Sequence, residues 1–272
     1  MSSHHRAGGS SAGSVPVFHD DLIRDQFSRQ AELFARSPEL HGDDQLKLLV
    51  DAARPRPGDV SLDIASGPGT VVAAFAPHVR YAAGLDATAA MLDQAKTLAA
   101  ERHIANVEWH LGDVYALPFG DGAFDIVTCR FAFHHFETPA KAFAEMVRVC
   151  RPGGRVVLCD GIASADIAKA AAFNAMERHR DPSTAAFQTL STLTALFAAA
   201  GLPQPSLVPF QVTYEIEQMI AKSFPVDDDR ATLKRMIDDL IATDAMDVGT
   251  RPAGRHFFYP AAVLTATKPL PA

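Results

Sequence analysis

The ten residues from Ser61 to Thr70 read SLDIASGPGT, and they decide the fold of this chain. A short apolar segment that contains Asp63 is followed at once by two glycines, Gly67 and Gly69. Glycine lets backbone amides approach a ligand closely and adopts φ values that other residues resist. In a doubly wound sheet, ligands bind at the carboxyl ends of the strands. We therefore predict that this loop ends the first strand of such a sheet and binds a ligand.

The sequence on both sides of this loop alternates between strand and helix patterns. Near-continuous apolar strands that take turns with amphipathic helices are typical of a parallel sheet covered on both faces. The chain is therefore predicted to form one α/β domain with a doubly wound sheet. The strand patterns are VSLDI, RYAAGLD, VEWHLGD, FDIVTCRF, GRVVLCDG, PSLVPFQVTYEI and HFFYPAAVLTATKP.

The regions outside this pattern predict a tail and additional helices. Residues 1–15 are rich in Ser, Gly and Ala and are predicted to be disordered. Residues 16–56 carry apolar side chains at helical spacing and precede the first strand. The main domain then spans residues 57–272, with a helical insertion at about 216–248 that contributes to a cap.

Charge and cysteine content exclude several classes of protein. The net charge of -7, with no run of basic residues longer than a pair, argues against a nucleic-acid partner. The three cysteines lack CxxC spacing, so we predict neither a disulfide framework nor a metal site. A reducing, cytoplasmic location fits best, and no apolar run reaches the ~18 residues that a membrane span needs. Whether the chain forms a homodimer is left open by the sequence.

The glycine loop distinguishes between two classes of ligand. A dinucleotide site has the pattern G-x-G-x-x-G, whereas the third glycine position here holds Val72. Asp63 would also repel a pyrophosphate placed beside it. A ligand with a cationic end fits better, and S-adenosylmethionine has an α-amino group, a sulfonium, a ribose and an adenine. Asp86, which ends the second strand, can accept hydrogen bonds from ribose hydroxyls in either ligand.

Five segments together carry a family resemblance. DIASGPGT, GLDATAAML, GDVYALPF, FDIVTCRFAFHHF and RVCRPGGRVVL occur in this order and resemble the class I S-adenosylmethionine-dependent methyltransferases. Within that class they are similar to the small-molecule branch that includes the ubiquinone/menaquinone C-methyltransferases. The resemblance is strong over residues 58 to 162. It implies a seven-stranded, mostly parallel sheet in the order 3-2-1-4-5-7-6, with an antiparallel last strand, and N-terminal helices that form a lid.

The resemblance also implies a set of cofactor-binding residues. Gly67 and Gly69 would frame the methionine part, with Asp63 near its amino group. Asp113 and the Val114 backbone N–H would contact the adenine. The full predicted set is Asp63, Ala65, Gly67, Gly69, Asp86, Ala87, Met91, Gly112, Asp113, Val114, Arg130, His135 and Phe27.

Two adjacent histidines after the fourth strand, His134 and His135, are the predicted catalytic residues. They follow the strand end where a methyl acceptor would lie, and histidine can take a proton near neutral pH. We place His135 nearer the cofactor. The alternative, that the pair only lines or supports the pocket beside Phe131, Phe133 and Phe136, stays open because positioning alone contributes much to methyl transfer.

The predicted function is methyl transfer from S-adenosylmethionine to a small acceptor that is aromatic or partly apolar. The methylated atom, carbon, oxygen or nitrogen, stays open. One alternative is an NAD(P)-dependent oxidoreductase, which shares the sheet and the ribose carboxylate. Another is a methyltransferase-like module that binds the cofactor without catalysis.

Overall fold

The computed structural model describes residues 19–35, 43–247, 249–250 and 256–271, so the predicted tail at 1–15 lies outside the described residues. The helices are α1 (His19–Ala35), α2 (Asp43–Ala53), α3 (Thr70–Phe75), α4 (Ala89–Glu101), α5 (Pro139–Val149), α6 (Ile167–Arg180), α7 (Leu190–Ala199), α8 (Ile216–Lys222) and α9 (Arg230–Ala242). The strands are β1 (Val60–Ile64), β2 (Tyr81–Asp86), β3 (Val107–Leu111), β4 (Phe124–Arg130), β5 (Cys150–Gly161), β6 (Ser206–Glu215), β7 (Gly249–Thr250) and β8 (His256–Thr267).

The strands form one sheet in the order β3-β2-β1-β4-β5-β8-β6, and the two-residue β7 pairs with β8. Pairs among β1 to β5 are parallel, whereas β8 runs antiparallel to both β5 and β6. When the seven longer strands are numbered in chain order, the arrangement is 3-2-1-4-5-7-6. The predicted fold class, including the antiparallel last strand, is therefore confirmed.

Both faces of the sheet are buried, which explains why its central strands are apolar at consecutive positions. On β4, Ile126 packs in a cluster with residues of α2 and α3 such as Leu49 and Phe75. The next residue, Val127, points to the other face and packs in a cluster with α5 and α7. Because successive side chains of a strand point to opposite faces, helices on both sides require apolar residues at every position.

A further apolar cluster lies beside the β6 and β8 end of the sheet. It joins side chains of α6, α8 and α9, such as Met176, Met219 and Leu233, to Phe257 of β8. The predicted insertion at 216–248 contains α8 and α9, and α6 packs against α9 from outside that range. The boundaries at 16–56 and 57–272 stay predictions.

The RPGG segment in the first part of β5 leaves no room for a side chain at its last glycine. A β-carbon on Gly154 would lie 2.7 Å from Cys150 Sγ and 2.8 Å from the carbonyl oxygens of Arg151 and Asp125. The register between β4 and β5 shifts at this point, so the chain forms a β-bulge. Gly154 therefore allows the backbone of this bulge to pack closely against β4.

We expect Gly154→Ala to lower the free energy of unfolding by about 1–3 kcal/mol, the usual cost of overpacking. The clashing atoms are mainly backbone carbonyls, which move only if the strands move. Gly58→Ala is the matched control, because its β-carbon would have nothing within 4 Å. Urea denaturation of both variants measures the difference. Equal losses in the two variants would contradict this account of the bulge.

Candidate functional site

A cavity of about 520 Å³ opens at the carboxyl ends of β1, β2, β3 and β4, within the size range of small-ligand sites. Its walls are the segments that follow these four strands and one face of α1. The predicted residues that line it are Phe27, Asp63, Ala65, Gly67, Asp86, Ala87, Met91, Gly112, Asp113, Val114, Arg130 and His135. The parallel sheet thus brings together groups that are far apart in sequence.

Two predicted site residues, Gly69 and His134, do not line this cavity. Gly69 has a φ of 82°, and a β-carbon there would lie 2.5 Å from Trp109 Cη2 and 2.8 Å from Ala95 Cβ. Its lack of a side chain serves the packing of the loop against α4 and β3. The role of Gly69 in framing the ligand stays a prediction, whereas Gly67, with a φ of 51°, has open space at the β-carbon position.

His134 lies outside the cavity lining, and its predicted catalytic role stays a prediction. Its Nδ1 lies 2.8 Å from Asp160 Oδ1, and its backbone N–H donates to Asp160 Oδ2 at 2.9 Å. The imidazole ring stacks on Phe187, with 4.0 Å between ring centroids. His134 therefore stabilises the segment after β4 from the protein interior.

Asp86 connects three of the loops that form the cavity. Its Oδ2 accepts a hydrogen bond from the Gly67 N–H at 2.8 Å, and its Oδ1 accepts one from the Thr88 N–H at 2.9 Å. Its backbone carbonyl accepts from the Gly112 N–H at 3.0 Å. Burial raises the pKa of Asp86, and these hydrogen bonds act in the opposite direction. A carboxylate has about four acceptor positions, so Asp86 retains capacity for ligand hydroxyls.

Asp63 is a buried carboxyl group at the base of the cavity. Its Oδ1 accepts a hydrogen bond from Thr128 Oγ1 at 2.6 Å. Burial raises the pKa of Asp63 to about 7, although the Thr128 hydrogen bond and the charge of Arg130 lower it. Because a buried carboxylate is favoured by a nearby positive charge, this position suits the cationic end of a ligand.

The end of β4 places Arg130 next to this carboxyl group. Arg130 is buried, and its Nη2 donates to Gln45 Oε1 of α2 at 3.0 Å. Its guanidinium carbon lies 4.5 Å from the centre of the Phe131 ring. Burial lowers the pKa of Arg130, and the charge of Asp63 opposes that shift. The first strand and the fourth strand are thus coupled electrostatically inside the cavity.

The β3 side of the cavity combines an exposed acid with apolar walls. Asp113 is exposed, and its Oδ1 accepts a hydrogen bond from the Tyr115 N–H at 2.8 Å. Val114 and Met91 are buried beside it. A flat ring with polar edges, such as an adenine, matches this combination.

Helix α1 lies over the His135 side of the cavity. The Phe27 ring meets the His135 ring edge to face, with centroids 4.9 Å apart. His19 Nε2 lies 2.8 Å from the His135 carbonyl oxygen, and Gln26 Nε2 donates to the Phe224 carbonyl oxygen at 3.3 Å. The helix is therefore attached both to the segment after β4 and to the loop after α8.

Several cavity residues were not predicted from the sequence. They are Ile23, Arg24, Ser66, Pro68, Thr70, Val71, Ala89, Leu111, Tyr115, Phe131, Ala132 and Phe136. Ile23 lies one helical turn from Phe27, so helical spacing was the signal that could have found it. Most of the others directly neighbour predicted residues in the same loops.

No group of three or more His, Cys, Asp or Glu side chains in the described ranges is arranged to hold a metal ion. None of the helices described is long and apolar enough to cross a membrane.

Comparison with known proteins identifies the family. The family model described as "Methyltransferase domain" matches residues 62–158. The uncharacterized methyltransferase YcgJ of Bacillus subtilis is 34% identical over 196 residues, which cover 72% of this chain and 78% of that protein. The chain belongs to the class I S-adenosylmethionine-dependent methyltransferases. The predicted enzyme class and cofactor are thus confirmed, and the oxidoreductase alternative is rejected.

Solved structures and further relatives agree with this assignment. The crystal structure of YcgJ matches with a TM-score of 0.73 and 32% identity, covering 84% of this chain and 99% of that one. A putative methyltransferase, BH2331 of Bacillus halodurans C-125, matches with a TM-score of 0.75 and 28% identity, covering 84% and 100%. The demethylmenaquinone methyltransferase of Renibacterium salmoninarum is 38% identical over 114 residues, or 42% of this methyltransferase and 46% of that protein. The match to the demethylmenaquinone methyltransferase therefore covers less than half of either protein.

The residues of the cavity fit S-adenosylmethionine. The open side of Gly67 allows close approach of a ligand, and the buried Asp63 lies where an ammonium group would be favoured. Asp86 can accept further hydrogen bonds, and Asp113 offers a carboxylate at the rim. A pyrophosphate would meet these carboxylates with unfavourable charge.

We expect the affinity for S-adenosylhomocysteine, which keeps the α-amino group, to depend on pH through Asp63. Below its pKa of about 7 this carboxyl group is protonated, so binding of the ammonium group must release a proton. Dissociation constants from calorimetry should be roughly tenfold weaker at pH 6 than at pH 7.5. The Asp63→Asn variant should bind more weakly and lose this dependence. The same pH dependence in wild type and variant would contradict the role of Asp63.

Proposed function

We propose that this enzyme methylates a small acceptor that is aromatic or partly apolar, with His135 as the proton acceptor. The observation that carries the proposal is the lining of the cavity, which combines acidic and aromatic side chains. Asp63, Asp86 and Asp113 supply its acidic part, whereas the segment after β4 and α1 supply an aromatic part that contains His135. An apolar acceptor would be desolvated by these aromatic side chains.

The acidic part is proposed to hold S-adenosylmethionine. Asp63 would pair with the α-amino group, Asp86 would accept hydrogen bonds from the ribose, and Asp113 with the Val114 N–H would bind the adenine. When bound, the cofactor supplies a methyl group that bonds to the acceptor atom while the methyl–sulfur electron pair stays on sulfur. The protein's own task is to orient both molecules and to exclude water.

The aromatic part is proposed to orient the acceptor. Phe131 precedes His135 in the segment after β4, Phe136 follows it directly, and Phe27 contacts it from α1. These rings offer flat apolar surfaces to an aromatic or aliphatic group. The demethylmenaquinone methyltransferases named among the relatives act, by their name, on a quinone-type compound, which agrees with an apolar acceptor.

His135 has the properties of an available proton acceptor. Burial, followed by the proximity of His134, lowers the pKa of His135 to about 4, so the ring is neutral near pH 7. A neutral imidazole in the cavity wall can take the proton that the acceptor loses as its new bond to carbon forms. The active, unprotonated form is fully present above about pH 5 and is lost as the pH falls through 4.

The function is tested by incubating the enzyme with methyl-labelled S-adenosylmethionine and a panel of small metabolites, followed by mass spectrometry. We expect label in aromatic or partly apolar products. If S-adenosylhomocysteine binds but no acceptor in a broad panel gains label, the chain would instead be a non-catalytic module. Label only in strongly polar acceptors would contradict the proposed aromatic site.

We expect His135→Asn to lower the rate constant for methyl transfer by ~10²-fold, the lower range for a positioned base. Its affinity for S-adenosylhomocysteine should change little, because the proposed cofactor contacts lie on other loops. His78→Asn is the control, since His78 is exposed and outside the cavity. A raised KM with an unchanged rate constant would show that His135 only shapes the pocket.

A further inference from the structure

The turn that follows α6 buries polar side chains against the candidate active site. Asp181 and Ser183 are only 2% and 0% exposed, although neither belongs to a strand or a helix. The turn is closed by a hydrogen bond from the Thr184 N–H to the Asp181 carbonyl oxygen at 2.9 Å. Polar side chains are costly to bury without hydrogen-bond partners, so their contacts indicate what the turn does.

A directed chain of hydrogen bonds runs from this turn to the histidine in the cavity wall. Asp181 Oδ1 accepts from the Ser183 hydroxyl at 2.5 Å and from the Ser183 N–H at 3.0 Å. The Ser183 hydroxyl proton is therefore committed to Asp181. His135 Nδ1 lies 3.0 Å from the Ser183 carbonyl oxygen and 3.1 Å from its Oγ.

The direction of this chain determines the tautomer of His135. Both atoms of Ser183 that face Nδ1 act as acceptors, because a carbonyl oxygen cannot donate and the hydroxyl proton points to Asp181. Nδ1 must then carry the proton of the neutral ring. Nε2 is left unprotonated, and it is the atom able to accept a proton.

We propose that Asp181 and Ser183 are positioning residues that hold His135 in the tautomer whose Nε2 accepts the proton of the methyl acceptor. This inference rests on the proposed function. In the step, the bond between the acceptor atom and its hydrogen breaks, and the proton moves to Nε2. A lone or π electron pair of the acceptor forms the new bond to the methyl carbon as the methyl–sulfur pair stays on sulfur. The pair of the broken bond to hydrogen stays on the acceptor, and His135 becomes an imidazolium.

Two nearby carboxylates, Asp181 and Asp160, favour the imidazolium form of His135. The titratable groups around His135 are His19 and Arg24 of α1, His134, Asp160 of β5, and Asp181. Of these, Asp181 and Asp160 raise the pKa of His135, whereas burial and His134 lower it. Burial opposes ionisation of Asp181, yet its interactions with His135 and Arg180 and the Ser183 hydrogen bonds lower the pKa of Asp181 overall. An ionised Asp181 is thus in place when the ring takes a proton.

The tautomer can be read without any acceptor, by long-range ¹⁵N–¹H NMR of the full chain with labelled histidine and bound S-adenosylhomocysteine. We expect wild-type His135 to be protonated at Nδ1 and unprotonated at Nε2 at pH 7. Protonation at Nε2 would overturn the proposal whether or not the enzyme methylates any compound in the panel.

Two variants test the contributions of the Asp181 carboxylate and the Ser183 hydroxyl separately. In Asp181→Asn an amide can donate to Ser183 Oγ, so the hydroxyl is released from its fixed direction and the Nε2-protonated tautomer should appear. Ser183→Ala keeps the backbone carbonyl acceptor and should keep the wild-type tautomer.

With the acceptor found in the labelled-methyl panel, Asp181→Asn should also lower the rate constant by at least ~10-fold with KM little changed. If Asp181 only stabilises the fold, Asp181→Asn should lower the free energy of unfolding without lowering the rate constant at an unchanged KM. Wild-type tautomer and rate constant in the folded Asp181→Asn variant would overturn the proposal. If no acceptor is methylated by wild type, the proposed function fails, and the NMR result still decides the tautomer.

Discussion

The carboxylate of Asp86 is the interaction on which the geometry of the cavity depends. It holds the amide of Gly67 after β1 and that of Thr88 before α4, and its own carbonyl holds the amide of Gly112 after β3. Parallel strands end at the same edge of the sheet, so one residue at the end of β2 can reach its neighbours on both sides. A single residue therefore links the loops that follow the first three strands.

Burial controls the charge of two groups that line the cavity, Asp63 and His135. It raises the pKa of Asp63 to about 7 and lowers the pKa of His135 to about 4. Near pH 7 one group is therefore only partly ionised and the other is neutral. A bound cation would favour the carboxylate form of Asp63, and a proton released by an acceptor would find His135 ready to accept it. The charges would thus develop when the ligands are in place.

The sheet could be predicted because its apolar strands, helices and glycine loop are all local signals. The candidate site was predictable only to the level of the loops. Gly67 and Gly69 look equivalent in the sequence, and only the packing of Trp109 and Ala95 shows that Gly69 faces inward. His134 and His135 also look equivalent in the sequence. Only the structure shows that His135 lines the cavity, whereas His134 stacks on Phe187.

The remaining site residues depend on contacts between distant segments. Ser183 meets His135 across 48 positions of the chain, and α1 is placed by its contacts with His135 and Phe224. No periodicity or motif in a single sequence records such contacts. This is why the contacts of α1 with the cavity and the turn after α6 are visible only in the structure.

The most direct test of this account is calorimetric titration of S-adenosylhomocysteine into wild type, Asp86→Ala and the surface control Asp93→Ala. Wild type and Asp93→Ala should bind one equivalent with equal affinity, because Asp93 is exposed and outside the cavity. Asp86→Ala should bind more weakly by about 1.5–3 kcal/mol, the range for hydrogen bonds to a charged group. Unchanged affinity in a folded Asp86→Ala protein would contradict the central claim that this carboxylate organises the cofactor site.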